Sequence, residues 1–451
     1  MTMNDCEQQE HAALCSSWTD AALLAAVTTA RGQHRPEVLP LIDAEVRRRK
    51  LALPAPVADV WQSANPTSKR ATLATVASAC FQRLRWKRLS WIGWVVLIPL
   101  AACVGGTEAP LVLPPRQLQW TVDPGNPVIQ AGDLMSQGLW GDPSVLKVGD
   151  TYVMYMSSST KEPFKPPILT FRAVSSDGLR WRLDPQTPLM DASGTPFVSI
   201  ETPSVIHFRG KYHMYYTGIH PWGHSPVMEI GHASSDDGIH WVKDALPVVT
   251  SSGKVNEWTG YAVAEPGAVV YKDRVYLYFV GIGARPKGMP PQLQSIGLAI
   301  SEDGRGFDKP RVVHTQTSRY PPAAGFPGYS TPSALVDGDT IHLFYDVVNF
   351  DKNAKPDWRQ VALQDAVSTD GGMSFVERNG PLLRRDDNDW SAKGELIGPV
   401  ALIDGNRVRL WFGGHVGYDQ LGKMIRRGWK GREFGIGTMT TDLANLRKPA
   451  P

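Results

Sequence analysis

Acidic side chains stand directly before the prolines that open two short apolar stretches, at Asp142-Pro143 and Glu265-Pro266. The same frame recurs with another residue before the proline at Thr202-Pro203, Thr331-Pro332 and Gly398-Pro399. The five prolines are 60, 63, 66 and 67 residues apart. Carboxyl groups that converge from such a repeat could act as general acid and general base. The residue before each proline is therefore the first place to look for chemistry.

Each apolar stretch begins a repeat with the same internal order. A tight polar turn such as Gly149-Asp150 comes next, followed by a strand of alternating pattern such as residues 151–156. After a loop of variable length, a third strand ends in a Ser-x-Asp-Gly turn, and an aromatic residue then opens a fourth strand. Five repeats of about 65 residues predict an all-β fold, a five-bladed β-propeller over residues 107–451.

Strand direction within such a repeat predicts where the acids point. Strands alternate in direction, so the start of every first strand lies on one face and lines the central axis. We expect Asp142, Thr202, Glu265, Thr331 and Gly398 to face one axial funnel, with Glu201 one step away. Like charges repel, so a fold has no structural need to bring acids together there. Alternatively, Asp142 and Glu265 bond backbone groups, and the offset turns Glu201 away.

Two further features of the repeats predict structure rather than chemistry. The Asp of each Ser-x-Asp-Gly turn can bond the backbone of its own turn, and the Gly can adopt positive φ. The fifth repeat has no clear fourth strand, whereas the stretch from Trp120 to Val128 matches the one from Trp181 to Leu189. We expect the Trp120 strand to become the outer strand of the fifth repeat and to close the ring.

The residues before the propeller differ in composition. Residues 1–50 are predicted to form a small helical hairpin, cytosolic, and residues 51–88 a linker with a basic end. Residues 89–106 are uncharged and apolar and follow a cluster of Arg and Lys, which predicts a membrane anchor or a lipoprotein-type signal with Cys103 as the lipidated residue. The charge asymmetry places the propeller on the periplasmic or extracellular side.

Composition argues against several other classes. The net charge is +3 and the charges are spread along the chain, so the sequence does not suggest a nucleic-acid partner. The four cysteines all precede residue 104, and no Cys/His spacing predicts a metal site. The sequence specifies no cofactor.

At Asp142-Pro143-Ser144-Val145 and Glu265-Pro266 the chain resembles the five-bladed propeller glycosidases, the superfamily of arabinanases, β-xylosidases, levansucrases and invertases (glycoside hydrolase families 43 and 32 and relatives). The resemblance covers about residues 115–442. It implies that Asp142 is the base or nucleophile and Glu265 the general acid. The family's second aspartate, which modulates a pKa, has no clear equivalent here, and a nearby anion such as Glu201 would help raise the pKa of Glu265. Cleavage of a glycosidic bond needs one protonated and one ionised carboxyl, and their separation decides between retention and inversion.

The resemblance also implies a carbohydrate substrate. Sugar rings stack on aromatic side chains, and Trp140, Trp222, Trp258 and Tyr329 fall in segments on the expected site face. His220, His224 and His415 could bond hydroxyls or a metal, and no spacing favours a metal. Each aromatic could equally pack against a blade edge.

Three functions fit these expectations. The first is an exported, membrane-anchored glycoside hydrolase acting on an oligo- or polysaccharide. The second is a non-catalytic propeller that binds glycan in envelope polysaccharide metabolism. The third is a glycoside phosphorylase of related fold, which would need basic residues for phosphate, with Arg172, Arg285 and Arg359 as candidates.

Overall fold

The computed structural model describes residues 46–49, 111–159, 167–221, 226–254, 256–283, 293–351 and 358–449. The chain divides into two compact units, Met1–Ala109 and Pro110–Pro451. Of the first unit only residues 46–49 are described, and residues 46–48 are helical. The rest of the predicted hairpin, the linker and the predicted anchor at residues 89–106 lie outside the described residues. Within the described ranges, no helix has the length and apolar character needed to cross a membrane.

The second unit is nearly all β, and its strands fall into five repeats, which we number I to V. Before repeat I come β1 (Thr121–Val122) and β2 (Ile129–Ala131). Repeat I comprises β3 (Leu139–Val148), β4 (Thr151–Ser159), β5 (Ile168–Ser175) and β6 (Arg182–Leu183). Repeat II comprises β7 (Ser199–Phe208), β8 (Lys211–Ile219), β9 (Met228–Ser235) and β10 (Val242–Lys243). Repeat III comprises β11 (Ala262–Tyr271), β12 (Arg274–Ile282), β13 (Gln294–Ser301) and β14 (Arg311–His314).

The last two repeats carry additional elements. Repeat IV comprises β15 (Gly328–Asp337), β16 (Thr340–Phe350), β17 (Trp358–Ser368), β18 (Val376–Glu377) and β19 (Leu383–Arg384). Repeat V comprises β20 (Glu395–Asp404), β21 (Arg407–His415) and β22 (Gly431–Asp442), with helix α1 (Tyr418–Arg426) between β21 and β22, and a short helix α2 (Leu443–Leu446) follows. Within every repeat the first three strands pair antiparallel in chain order, which gives a propeller-like fold. A single parallel pair, Gln294 with Gly328, joins repeats III and IV into one nine-stranded sheet.

The predicted closure by the Trp120 segment is confirmed. Thr121 pairs with Thr440 and Val122 with Met439, so β1 is the outer strand of repeat V, and β2 pairs with β22 as well. Trp120 itself is buried and packs edge-to-face on Phe344 of repeat IV. The pairing covers an edge of β22 that would otherwise be open to another chain.

Neighbouring repeats are joined by one recurring contact between an aromatic residue and a turn. The hydroxyls of Tyr155 and Tyr215 donate to the carbonyl oxygens of Gly238 and Gly304, each in the Ser-x-Asp-Gly turn of the next repeat. Trp411 of repeat V donates its indole N–H to the Gly178 carbonyl of repeat I, at 3.0 Å. This last bond joins repeat V to repeat I.

The same turns confirm the structural interpretation of their aspartates. Asp177 Oδ1 accepts hydrogen bonds from the backbone N–H groups of Leu179 and Arg180 at 2.9 and 2.8 Å. Gly178, Gly238, Gly304 and Gly371 all have positive φ, between 71° and 80°. Glycine reaches that conformation without a steric cost, so the turn chemistry accounts for both residue types.

Candidate active site

All five inner strands carry a β-bulge at the proline frame. The antiparallel register shifts between Gly141 and Ser144 in repeat I, and at the equivalent place in the other four repeats. The residue before each proline has a left-handed backbone, and the φ angles of Asp142, Thr202, Glu265, Thr331 and Gly398 are 51°, 50°, 55°, 43° and 60°. Such a conformation is costly for any residue but glycine, and most costly for a β-branched one such as Thr331.

The bulges bring the residues before the prolines to one axis. All five line one narrow axial cavity, which confirms the predicted convergence. Above it opens a cleft of about 200 Å³, and Asp142, Glu201 and Glu265 all line this cleft. Glu201 faces the cleft together with its neighbour Thr202, because a bulge sets two residues of one strand against a single residue of its partner. The one-residue offset therefore does not turn Glu201 away.

Glu265 is the carboxyl most firmly held by hydrogen bonds. Its Oε2 accepts from the Ser330 hydroxyl and, at 2.9 Å, from the backbone N–H of Thr331 in the next repeat. Burial raises the pKa of Glu265, and these two bonds oppose that rise because they favour the ionised form.

Asp142 and Glu201 differ in how well their charged forms are stabilised. Burial raises the pKa of Asp142 to about 6, the nearby Ser157 hydroxyl and Thr202 backbone restrain the rise, and the charge of Glu265 adds to it. The Thr202 N–H itself donates to Ser157 Oγ at 2.9 Å. The Glu201 carboxyl accepts no hydrogen bond from the described residues, and burial together with the charges of Asp142 and Glu265 raises its pKa to about 8. Of the three carboxyls, Glu201 is therefore the one whose environment favours the proton most plainly.

Two further acids join the group, and the sequence interpretation missed both. Asp346 on β16 is buried, accepts a hydrogen bond from Thr331 Oγ1, and has a pKa raised well above the usual range, first by burial and then by the charge of Glu265. Glu395, the first residue of β20, lines the cleft. A signal for Asp346 was present, since it is a lone charge in the apolar strand from Ile341 to Val348.

The structure places two of the predicted sugar-stacking aromatics inside the sheets, which corrects that expectation. Trp140 is 0% exposed, and its indole N–H donates to the Asp133 carbonyl at 2.9 Å. Tyr329 is also 0% exposed, and its ring stacks on His314 while its hydroxyl donates to Glu377. A sugar needs an open ring face, and neither residue offers one to the cleft.

Trp258 and His220 are not among the residues that line the cleft either. Trp258 is half-buried and stacks on Phe279 over the strands of repeat III. His220 is buried and its Nε2 lies 2.9 Å from Glu229 Oε2. Trp222 and His224 lie outside the described residues. Among the residues that the structure describes, the aromatic side chains that line the cleft are Tyr418 at the start of α1 and Phe434 of β22.

The described lining of the cleft carries acids, and its nearest basic groups stand behind it: His415 pairs with Glu395, and the charge of Arg359 acts on Tyr418. Its ionisable members are Asp142, Glu201, Glu265, Glu395 and Tyr418, and Lys, Arg and His are absent from the described lining. Arg172 bonds Asp184 away from the cleft, and Arg285 lies outside the described residues. Within the described part of the chain, no group of three or more His, Cys, Asp or Glu side chains could hold a metal ion.

Comparison with curated proteins gives partial matches. No family model matches the chain. Over 143 residues the chain is 32% identical to sucrose-6-phosphate hydrolase of Escherichia coli, which is 30% of this chain and 27% of that protein. Over 197 residues it is 30% identical to the uncharacterized protein MT1551 of Mycobacterium tuberculosis (strain CDC 1551 / Oshkosh), 40% of this chain and 58% of that protein. The chain thus matches about a quarter of the first relative and under two thirds of the second.

Solved structures match over most of the propeller-like unit. A thermostable family-43 glycoside hydrolase superposes with a TM-score of 0.52 at 16% identity, covering 71% of this chain and 98% of that chain. A glycosyl hydrolase from Bacteroides ovatus gives 0.52 at 14% identity, over 75% and 96%. A β-1,2-mannobiose phosphorylase from Listeria innocua gives 0.51 at 10% identity, over 73% and 98%. The chain has the fold of family-43 and related glycoside hydrolases, and the predicted resemblance is confirmed at that level.

Proposed function

We propose that the protein is a glycoside hydrolase that cleaves an oligo- or polysaccharide in the acid-lined cleft. One observation carries the proposal: three carboxyls from three successive repeats, Asp142, Glu201 and Glu265, share one cleft on a fold used by glycosidases. Repulsion and burial make such a cluster unfavourable for stability. Strongly perturbed carboxyls in a cleft are typical of catalytic sites.

The environments of the three carboxyls suggest a division of labour. Asp142, ionised above a pKa of about 6, serves as base or nucleophile. Glu201, with a pKa of about 8, keeps its proton at neutral pH and serves as the acid that protonates the leaving oxygen. Glu265, whose charge is supported by Ser330 and Thr331, raises the pKa of both neighbours. The sequence had assigned the proton to Glu265 instead.

The lining of the cleft favours hydrolysis over phosphorolysis. Phosphate is a dianion at neutral pH, and the described lining offers it carboxyls and no cation. Turnover that is independent of added inorganic phosphate is expected. Turnover that requires phosphate would instead make the protein a phosphorylase, the activity named for its Listeria neighbour.

The test is a screen of the full chain against p-nitrophenyl glycosides of neutral pentoses and hexoses and against arabinan, xylan and levan. Activity that is lost in Asp142→Asn, with glycan binding retained, supports the hydrolase. Glycan binding without turnover in either protein would instead support a non-catalytic glycan-binding propeller. If the protein neither binds nor cleaves any of these glycans, both the hydrolase and the glycan-binding proposal are refuted.

We further propose the architecture and location around this site. The five repeats are the blades of a five-bladed propeller, residues 89–106 anchor the chain in a membrane, either as an uncleaved span or through lipidated Cys103, and the propeller lies on the periplasmic or extracellular side. The basic cluster before residue 89 supports this orientation. Protease added to intact spheroplasts should degrade the propeller of a membrane-fractionated protein. A protected or freely diffusing propeller would contradict the proposal.

A further inference from the structure

One wall of the cleft holds a carboxyl with an unusual set of partners. Glu395 is the first residue of β20, only 7% of its surface is exposed, and it lines the cleft beside Gln360 and Tyr418. Its Oε2 lies 3.1 Å from Nε2 of His415, which is fully buried on the paired strand β21. A buried acid of this kind needs partners for both oxygens.

The imidazole fixes the position of one proton in this pair. Nδ1 of His415 lies 2.7 Å from the Val416 carbonyl oxygen, which can only accept, so Nδ1 carries a hydrogen. Nε2 then faces a carboxyl oxygen, and a second proton must lie between them. Whether that proton resides on the imidazole or on Oε2, the other oxygen, Oε1, remains an acceptor.

That second oxygen has no hydrogen-bond partner among the residues that the structure describes. Glu395 Oε1 accepts no hydrogen bond from any of the described residues, although the side chain is more than nine-tenths buried. A second acid–imidazole pair in repeat II provides the contrast. Glu229 lies 2.9 Å from His220, and its Oε1 accepts from the Ser251 backbone N–H at 3.3 Å, so that pair is complete within the fold. Glu229 does not line the cleft.

We propose that Glu395, held by His415, is a sugar-binding carboxyl whose Oε1 accepts a hydroxyl of an uncharged glycosyl unit, and that the cleft excludes anionic sugars. This proposal rests on the proposed function and names its substrate class. A sugar hydroxyl is a donor that matches this acceptor oxygen in either arrangement of the shared proton. Phosphorylated sugars and uronates would instead meet Asp142, Glu265 and Glu395 in a lining without a described cation.

The first experiment is Glu395→Gln in the full chain, with Glu229→Gln as the matched control. Loss of this bond to substrate is expected to raise the KM for the best p-nitrophenyl glycoside on the order of 10- to 100-fold, with kcat lowered far less. The control should leave KM within about 2-fold, because Glu229 lies outside the lining. An unchanged KM in Glu395→Gln overturns the inference, while a kcat that still depends on Asp142 leaves the hydrolase proposal standing.

The second experiment needs no variant in its first arm. Binding of matched pairs (mannose and mannose 6-phosphate, fructose and fructose 6-phosphate, glucose and glucuronate) is measured by ligand-observed NMR on the wild-type chain. The neutral member of any pair that binds should bind at least about 10-fold more tightly, and Glu395→Gln should narrow that ratio. Equal or tighter binding of the anionic member overturns the inference, as does the absence of binding for every sugar. Sugar binding without turnover would refute only the hydrolase.

Discussion

Two sets of acids, placed on the same repeats, have opposite electrostatic environments. The cleft acids are Asp142, Glu201 and Glu265, which lie on inner strands, and burial raises the pKa of each of them. The turn acids are the aspartates of the Ser-x-Asp-Gly turns, and their pKa values are all lowered; they are Asp177, Asp237, Asp303 and Asp370. Residue type alone does not distinguish the two sets.

The difference lies in what the backbone offers to the charge. In the turns, N–H groups point at the carboxylate: the Gly306 and Arg305 amides both bond Asp303 and lower its pKa to about 2. In the cleft, the backbone places Glu201 among other acids without giving it a donor among the described residues. A turn acid stabilises the fold in its charged form, whereas a cleft acid opposes folding in that form.

The left-handed bulges are common to all five repeats, but the acids are not. Thr202, Thr331 and Gly398 have the same backbone conformation as Asp142 and Glu265. The strain therefore belongs to the inner strands of the fold, and the acids are an addition at two of its five positions. We therefore expect that the acids can be replaced without unfolding the five repeats.

The largest expected effect is that of Asp142→Asn. Loss of the base or nucleophile should lower kcat by on the order of 10³- to 10⁴-fold, while the melting temperature stays the same or rises because a buried charge is removed. Steady-state kinetics and calorimetry on the same preparation check both. If the activity is lost and the melting temperature also falls clearly, Asp142 has a structural role like that of the turn acids.

Glu201→Gln should come next in size. With the proposed proton donor gone, kcat should fall by on the order of 10²-fold. In the wild type, kcat/KM should decline below the Asp142 pKa of about 6 and above the Glu201 pKa of about 8. The variant should lose the basic limb of this profile, and a retained basic limb would return the role of acid to Glu265.

The cleft acids and the turn acids should change the stability in opposite directions as pH rises. The pKa of Glu201 is raised from 4.5 to about 8, so the folded chain holds its proton where the unfolded chain has released it. Wild-type stability therefore falls relative to Glu201→Gln as pH rises from about 4.5 to 8, by on the order of 3 kcal/mol. Thermal unfolding of both proteins at pH 5 and pH 8 measures this. If the difference in stability between the wild type and Glu201→Gln is the same at both pH values, the raised pKa of Glu201 is contradicted.

The smallest effect is expected for a turn acid. Asp177→Ala removes the acceptor of two backbone N–H groups and should cost about 1 kcal/mol, a fall in melting temperature of roughly 2 °C, with kcat unchanged. Because the pKa of Asp177 is lowered, its contribution should be present at neutral pH and disappear in strong acid. A changed kcat in this variant would mean that the Ser-x-Asp-Gly turn influences the cleft.

The fold could be predicted from the sequence because the signals for it are local and repeated. The proline frame, the alternating strands and the Ser-x-Asp-Gly turns each specify a backbone conformation within a few residues, and the five copies reinforce one another. The match between the Trp120 and Trp181 stretches identified the outer strand of repeat V in the same way. Asp142 and Glu265 were found because they stand in the repeated frame.

The site residues outside that frame were not predictable by the same reasoning. Trp140 and Tyr329 sit next to frame positions in sequence, but strand alternation turns them into the sheets. Asp346 lies on β16, which pairs with the inner strand β15, and Glu395 begins the inner strand β20 three residues before its frame position. How close a residue lies to the axis depends on how all five repeats pack together, so a short stretch of sequence does not predict it.

The proline-frame acids illustrate what each level determines. The sequence by itself determined that five similar units exist, that Asp142 and Glu265 occupy equivalent places in two of them, and that the Trp120 stretch supplies the outer strand of the fifth. The tertiary structure decided how far the pKa of each carboxyl is raised. That rise depends on burial, on donors from neighbouring repeats and on the charges of other acids, and these are set only when the ring brings distant strands to one cleft.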